Sequence, residues 1–132
     1  VKQSVRIPII ANGDVSSPEA AEKVFRLTGC DGAMIGRGSL GDPWIFNRVA
    51  QYLRYGQTIA APDAAEKIAA AREHSTLLKE LLGERRAAKE MRGHLVWYIK
   101  GMPGAPRLRD RLMTTKSIEE IEEALNEAGR EH

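Results

Sequence analysis

The sequence predicts an α/β segment followed by an all-α segment, and three observations carry that reading. Two short apolar runs open the chain, each followed by a glycine-containing turn and an amphipathic stretch. Four stretches of helical spacing, set apart by glycines, prolines and capping residues, complete it. The change of regime falls on Ile59 to Asp63, which reads as a linker, so residues 1–58 and 59–132 are expected to form separate modules.

Val5 to Ala11 (VRIPIIA) is nearly continuous in apolar residues, the pattern of a strand buried on both faces of a parallel sheet. The chain enters it without a start methionine, as expected of part of a longer protein. Asn12, Gly13 and Asp14 end the run. Ser16 and Ser17, with Pro18 and Glu19, supply an N-cap, an early-turn proline and a capping-box carboxylate. The helix they start places Ala20, Ala21, Val24 and Phe25 on one face and stops at Gly29. A second strand, Gly32 to Ile35, runs into Gly36, Arg37 and Gly38; Asp42 and Pro43 then start a helix that ends at Gly56. Strand, helix, strand, helix with short links is the order of consecutive parallel βα units. Two parallel strands leave unpaired edges and an uncovered face, so the segment needs further strands or a partner chain. An isolated fragment is expected to dimerise through those edges or to rearrange its strands.

Beyond the linker the predicted helices are Asp63 to Leu82, Glu84 to Lys100, a short basic one from about Pro106 to Met113, and a last one opened by the capping box Ser117/Glu120. Ile118, Ile121, Leu125 and Ala128 form the stripe of the last.

Composition narrows the function. With 132 residues, 42% hydrophobic and 29% charged, the chain suits a globular protein of one domain or two half-sized modules, too short for two complete catalytic domains. No apolar run approaches the roughly 18 residues of a membrane span, and no signal-peptide pattern opens the chain, so a cytoplasmic setting without membrane contact is expected. The single cysteine, Cys30, has no internal disulfide partner and no neighbouring ligands at metal spacing; it reads as a buried thiol, and no metal is expected. Charge is segregated: Arg85 to Lys116 carries nine basic residues against Glu90 and Asp110, whereas the chain beyond Ser117 is acidic.

Two places offer chemistry. Asn12-Gly13-Asp14 and Gly36-Arg37-Gly38 each follow a strand, where glycine lets a ligand approach the backbone and a guanidinium matches phosphate oxygens two at a time. Together they suit a phosphate monoester, as do the loops after the last two strands of a (β/α)8 barrel. Glycine turns after strands are also ordinary punctuation, and that reading stands beside the first. In the second half, Arg85, Lys89, Arg92 and Lys100 share one helical arc, next to the apolar arc of Ala88, Met91, Leu95, Ile99 and Met102. Trp97 points away from that core, and Arg107, Arg109 and Arg111 follow. A tryptophan beside a row of cations suits stacking of an unpaired base and neutralisation of phosphates. A merely solvated basic face is the alternative. His94 is isolated in sequence and reads as structural.

Ile7 to Phe46 (IPIIANGDVSSPEAAEKVFRLTGCDGAMIGRGSLGDPWIF) and the stretch KEMRGHLVWYIKGMPGAPRLRDRL resemble bacterial tRNA-dihydrouridine synthases of the NifR3/DusB-like branch. The resemblance implies the last two βα units of a TIM-type (β/α)8 barrel plus a C-terminal four-helix domain that binds tRNA. It carries FMN binding over to Asn12, Gly13, Asp14, Gly36 and Arg37, and implies reduction of uridine to dihydrouridine in tRNA with NADPH. The tRNA face would comprise Arg85, Lys89, Arg92, Trp97, Lys100, Arg107, Arg109 and Arg111. The family's proton-donating cysteine and its flavin-proximal lysine and histidine belong to earlier strands and are absent from this sequence. The fragment alone is thus expected to be inactive. Two other readings remain open: an FMN-dependent barrel acting on a small molecule, and an RNA-binding or regulatory module without catalysis.

Overall fold

The computed structural model describes residues 2–130. The chain divides into two compact units, Val1–Ala61 and Pro62–His132.

The first unit contains a 3-10 turn (Lys2–Ser4), β1 (Ile10–Asn12), α1 (Pro18–Thr28), β2 (Gly32–Met34), a second 3-10 turn (Arg37–Ser39) and α2 (Ile45–Tyr55). β1 and β2 pair in parallel, with Ile10 opposite Gly32 and Asn12 opposite Met34. The predicted long buried strand from Val5 is therefore three residues long, and its apolar side chains face out: Ile7 is 65% exposed and Ile10 70%. The reason is the missing ladder. A strand extends only where a neighbour receives its amides and carbonyls. Ahead of β1, the carbonyl of Ile9 takes the amides of Asp31 and Gly32, and Asp31 also accepts from the Ile9 amide at 2.7 Å and Lys2 Nζ at 2.5 Å. The opposite sheet face carries the half-buried Ala11 and Ala33.

α1 begins where expected, with Ser17 Oγ accepting from the amide of Ala20 at 3.1 Å and Gly29 closing it at φ 61°. α2 starts later than predicted. Asp42, read as its cap, gives its side chain to Arg48 instead, and residues 42–44 form a turn in which the Ile45 amide donates to the Asp42 carbonyl at 3.2 Å. Val15, Ala21, Ile45 and Val49 make a small core, flanked by Val24 and Ile35.

The second unit contains α3 (Ala64–Leu82), α4 (Glu84–Tyr98), α5 (Ala105–Thr114) and α6 (Ile118–Arg130). Asp63 and Glu66 cap α3 reciprocally, at 2.8 and 2.9 Å. At α6, Ser117 Oγ accepts from the Glu120 amide at 3.2 Å, but the Glu120 carboxylate reaches back one residue further, to the amide of Lys116 at 2.8 Å. Met91, Leu95, Ile99, Leu112, Ile118, Ile121 and Leu125 are all within 1% of complete burial. Polar contacts pin the helix ends around that core. Glu84 accepts from the Ile118 amide at 2.5 Å and pairs with Lys79 at 2.7 Å, while Lys79 also reaches Glu119 at 2.5 Å. The hydrogen bond from Lys79 holds the Glu119 carboxyl down at about 2.

Candidate functional site

Parallel pairing in this register brings the C-terminal ends of β1 and β2 side by side, so the two glycine turns leave the sheet at the same edge. Arg37 Nη2 donates to Asp14 Oδ1 at 2.7 Å, joining the turns across 23 residues of sequence. Both side chains are open, 80% and 85% exposed, so the pair itself adds little stability. The steric contact beneath it is firmer. A Cβ on Gly38 would lie 2.2 Å from the Val15 carbonyl oxygen and 3.1 Å from Ser16 Cα, so the second turn rests directly on the backbone that follows the first. At Gly13 and Gly36 a Cβ would meet nothing within 4 Å. Two backbone positions thus face open space, next to a guanidinium that already has one acceptor and keeps further N–H groups to offer. Asn12 is exposed at the end of β1. Asn12, Gly13, Asp14, Gly36 and Arg37 therefore stand at one edge of one sheet. The chemistry of this donor set suits a small, doubly charged oxyanion.

The basic candidates of the second unit fare unequally. Arg85 and Lys89 are exposed on α4 and, with Arg86, line an open groove that also includes Leu82 and Gly83. Arg107 and Arg109 are exposed on α5. None of Arg85, Lys89, Arg107 and Arg109 forms an ion pair among the described residues. Arg92 is turned inward, donating to the Thr115 carbonyl at 2.7 Å, so it ties α4 to the turn before α6. Arg111 is paired with both oxygens of Glu127, whose hydrogen bonds raise its pKa further. Lys100 lies beyond the end of α4, which stops at Tyr98, and its ammonium sits 5.4 Å from the centre of the Trp97 ring. Trp97 as a residue is 37% exposed.

Three features escaped the sequence. Asp42 and Arg48, six residues apart, form a largely buried ion pair, but no helical or strand period marks that spacing. Gly38 was legible as a turn glycine, whereas its collision with Val15 requires the fold. His94 is not isolated: its ring lies 4.8 Å from that of His74, whose Nδ1 is 3.3 Å from the Tyr98 hydroxyl. Cys30 is buried, as expected.

A parallel βα pair ending in paired glycine turns, followed by a separate helical unit, defines a segment of an α/β protein. The sequence matches the family model for dihydrouridine synthase (Dus) over residues 1–131, and the chain belongs to that family. It is 42% identical to a probable tRNA-dihydrouridine synthase 1 of Synechocystis sp., over 97% of this chain and 36% of that protein. It is 40% identical to tRNA-dihydrouridine synthase B of Pseudomonas putida, over 84% of this chain and 33% of the relative. With the corresponding protein of Shewanella oneidensis it shares 44% identity, over 75% of this chain and 31% of the relative. The chain thus spans about a third of the length of the curated relatives it matches. No helix among the described residues is long and apolar enough to cross a membrane.

Proposed function

We propose that the whole protein is an FMN-dependent tRNA-dihydrouridine synthase that reduces uridine in tRNA with NADPH, and that this chain contributes the cofactor's phosphate grip and a tRNA-binding helical unit. In this reading the first unit is the end of a TIM-type (β/α)8 barrel. The observation that carries the proposal is the joining of two successive strand ends, by Arg37–Asp14 above and Gly38–Val15 beneath, with open backbone at Gly13 and Gly36 beside the guanidinium. The family membership and the names of the relatives support it.

The residues present fit the phosphate end of FMN. Arg37 would hold the phosphate, Gly13 and Gly36 would let it reach peptide amides, and Asn12 would present an amide side chain at the same edge. Asp14 would hold the Arg37 guanidinium in place, so that less of its rotamer freedom is lost on binding. When bound, reduced FMN would supply a hydride to C6 of the uridine ring while an acid of the whole protein supplies the proton at C5, and NADPH would return the oxidised flavin to its reduced form. The second unit's task is to keep the tRNA in register while a uridine leaves its stack. Arg85, Lys89, Arg107 and Arg109 would neutralise phosphates, and Trp97 with Lys100 would offer a stacking face next to a cation.

The test is dihydrouridine formation by the full-length protein on unmodified tRNA with FMN and NADPH, read by mass spectrometry of the nucleosides. Appearance of dihydrouridine that requires both FMN and NADPH is expected. A protein that binds tRNA and leaves flavin untouched would refute the enzyme reading in favour of an interaction module.

A further inference from the structure

The loop from Gly36 to Trp44 is fastened at both ends and internally braced. At its start, Gly38 rests on Val15. Within it, the Ser39 amide and hydroxyl both donate to the Gly36 carbonyl, at 3.0 and 2.8 Å, the Leu40 amide to Arg37 at 3.2 Å, and the Asp42 amide to Ser39 at 3.1 Å. At its end, Asp42 accepts from the Ile45 amide through its carbonyl and from Arg48 Nη2 through its carboxylate. Each turn hands its position to the next, so displacing Asp42 displaces Gly36 and Arg37.

Arg48 is the anchor of that chain of contacts. It projects from the first turn of α2, and its side chain is 13% exposed against 24% for Asp42. Its Nε and the Asp42 Oδ1 are buried with no hydrogen-bond partner among the described residues, so the two side chains are joined by the one Nη2–Oδ2 hydrogen bond. Removing one partner of such a pair leaves the other buried and uncompensated. Arg48 also acts across to α1: the Glu19 carboxyl is held below its usual range by its own backbone amide and by Ser17, with the Arg48 charge adding to both. Glu19 stands in the first turn of the helix that follows the Asn12–Asp14 turn, so the Arg48 charge is also felt behind that turn.

We propose that Arg48 is a positioning residue for the phosphate grip: through Asp42 it fixes where Gly36 and Arg37 stand, without touching the ligand itself. The proposal rests on the phosphate reading of these turns.

The test uses the full-length protein, with flavin affinity read by fluorescence quenching well below the unfolding midpoint. Arg48→Met is expected to raise the FMN Kd by about tenfold, the scale on which loose support of a binding group is felt. Arg48→Lys should recover part of the loss, and Asp42→Asn should match Arg48→Met. The double variant Arg48→Met/Asp42→Asn should bind no worse than either single one, the signature of two residues acting as a unit. The KM for tRNA at saturating flavin should stay unchanged. A folded Arg48→Met with wild-type Kd, or a double variant whose losses add, overturns the proposal. If Arg48→Met does not fold, Arg48→Lys and Asp42→Asn decide it by the same Kd. Arg37→Ala separates the two readings: if neither it nor the wild type binds flavin, the phosphate reading itself falls, whereas weakened binding in Arg37→Ala alone leaves that reading intact and sinks the role of Arg48.

Discussion

Among the glycines of the two turns, Gly13 and Gly36 border open space and Gly38 borders a carbonyl oxygen. The same residue type has two surroundings: open space at the first two positions, and contact between loops at the third. A methyl group at Gly38 would be 2.2 Å from Val15 O, a backbone atom that cannot rotate aside. Gly38→Ala is therefore expected to push the second turn off the first and to weaken FMN binding about tenfold or more, with riboflavin affinity unaffected because it lacks the phosphate. Titrating both flavins against the variant checks this, and equal losses for the two would place the fault elsewhere. The sequence displayed the G-R-G but not which glycine is sterically required, since that depends on a neighbour more than twenty positions away. The Asp42–Arg48 pair was hidden for another reason: its six-residue spacing matches neither the helical nor the strand period.

At the scale of elements, the helices and the second strand, Gly32–Met34, were legible and the extent of the first strand was not. Ser17, Asp63, Ser117, Gly29, Gly56 and Gly83 are local signals that cap helices whatever the rest of the chain does. A strand is defined by its neighbour, so the long run from Val5 yielded only β1. α4 shows what periodicity can and cannot resolve. Its apolar arc is buried as predicted, but Arg92, on the margin of the basic arc, turns inward to Thr115. Truncating the buried Leu95 to alanine is expected to lower unfolding free energy by about 2–5 kcal/mol, measurable by urea denaturation.

The α3–α4 contact also predicts a response to pH. Burial, then the neighbouring His94, hold His74 below its ordinary value of 6.5. The folded protein thus resists a proton that the unfolded chain accepts. Stability from this contact is complete above pH 6.5 and is lost as pH falls below it. Thermal unfolding between pH 8 and 5 should show a smaller decline in His74→Leu than in the wild type, and parallel declines would remove the histidine pair as the cause.

For the molecule as a whole, charge segregation read from the sequence survives folding in reduced form. Arg92 and Arg111 are engaged within the chain, so the proposed tRNA contact would fall to Arg85, Lys89, Arg107 and Arg109, with Lys100 beside Trp97. Five such contacts give a log-log salt slope of about −3.5 for tRNA binding at single-stranded character. Arg85→Ala/Lys89→Ala should flatten it by about 1.4. A slope indifferent to those substitutions would exclude that face of α4. Composition could count the cations, whereas their availability is decided by acceptors such as Thr115 and Glu127, brought close by folding.

The lysine ammonium over Trp97 has a spectroscopic corollary. The chain contains two tryptophans, and with Trp44 replaced by phenylalanine the remaining indole becomes an intrinsic optical reporter. A nucleobase stacking on that ring beside Lys100 would change the surroundings of the indole, and with them its emission, at the moment of docking. The rate of stacking would then be readable by stopped flow without any attached dye.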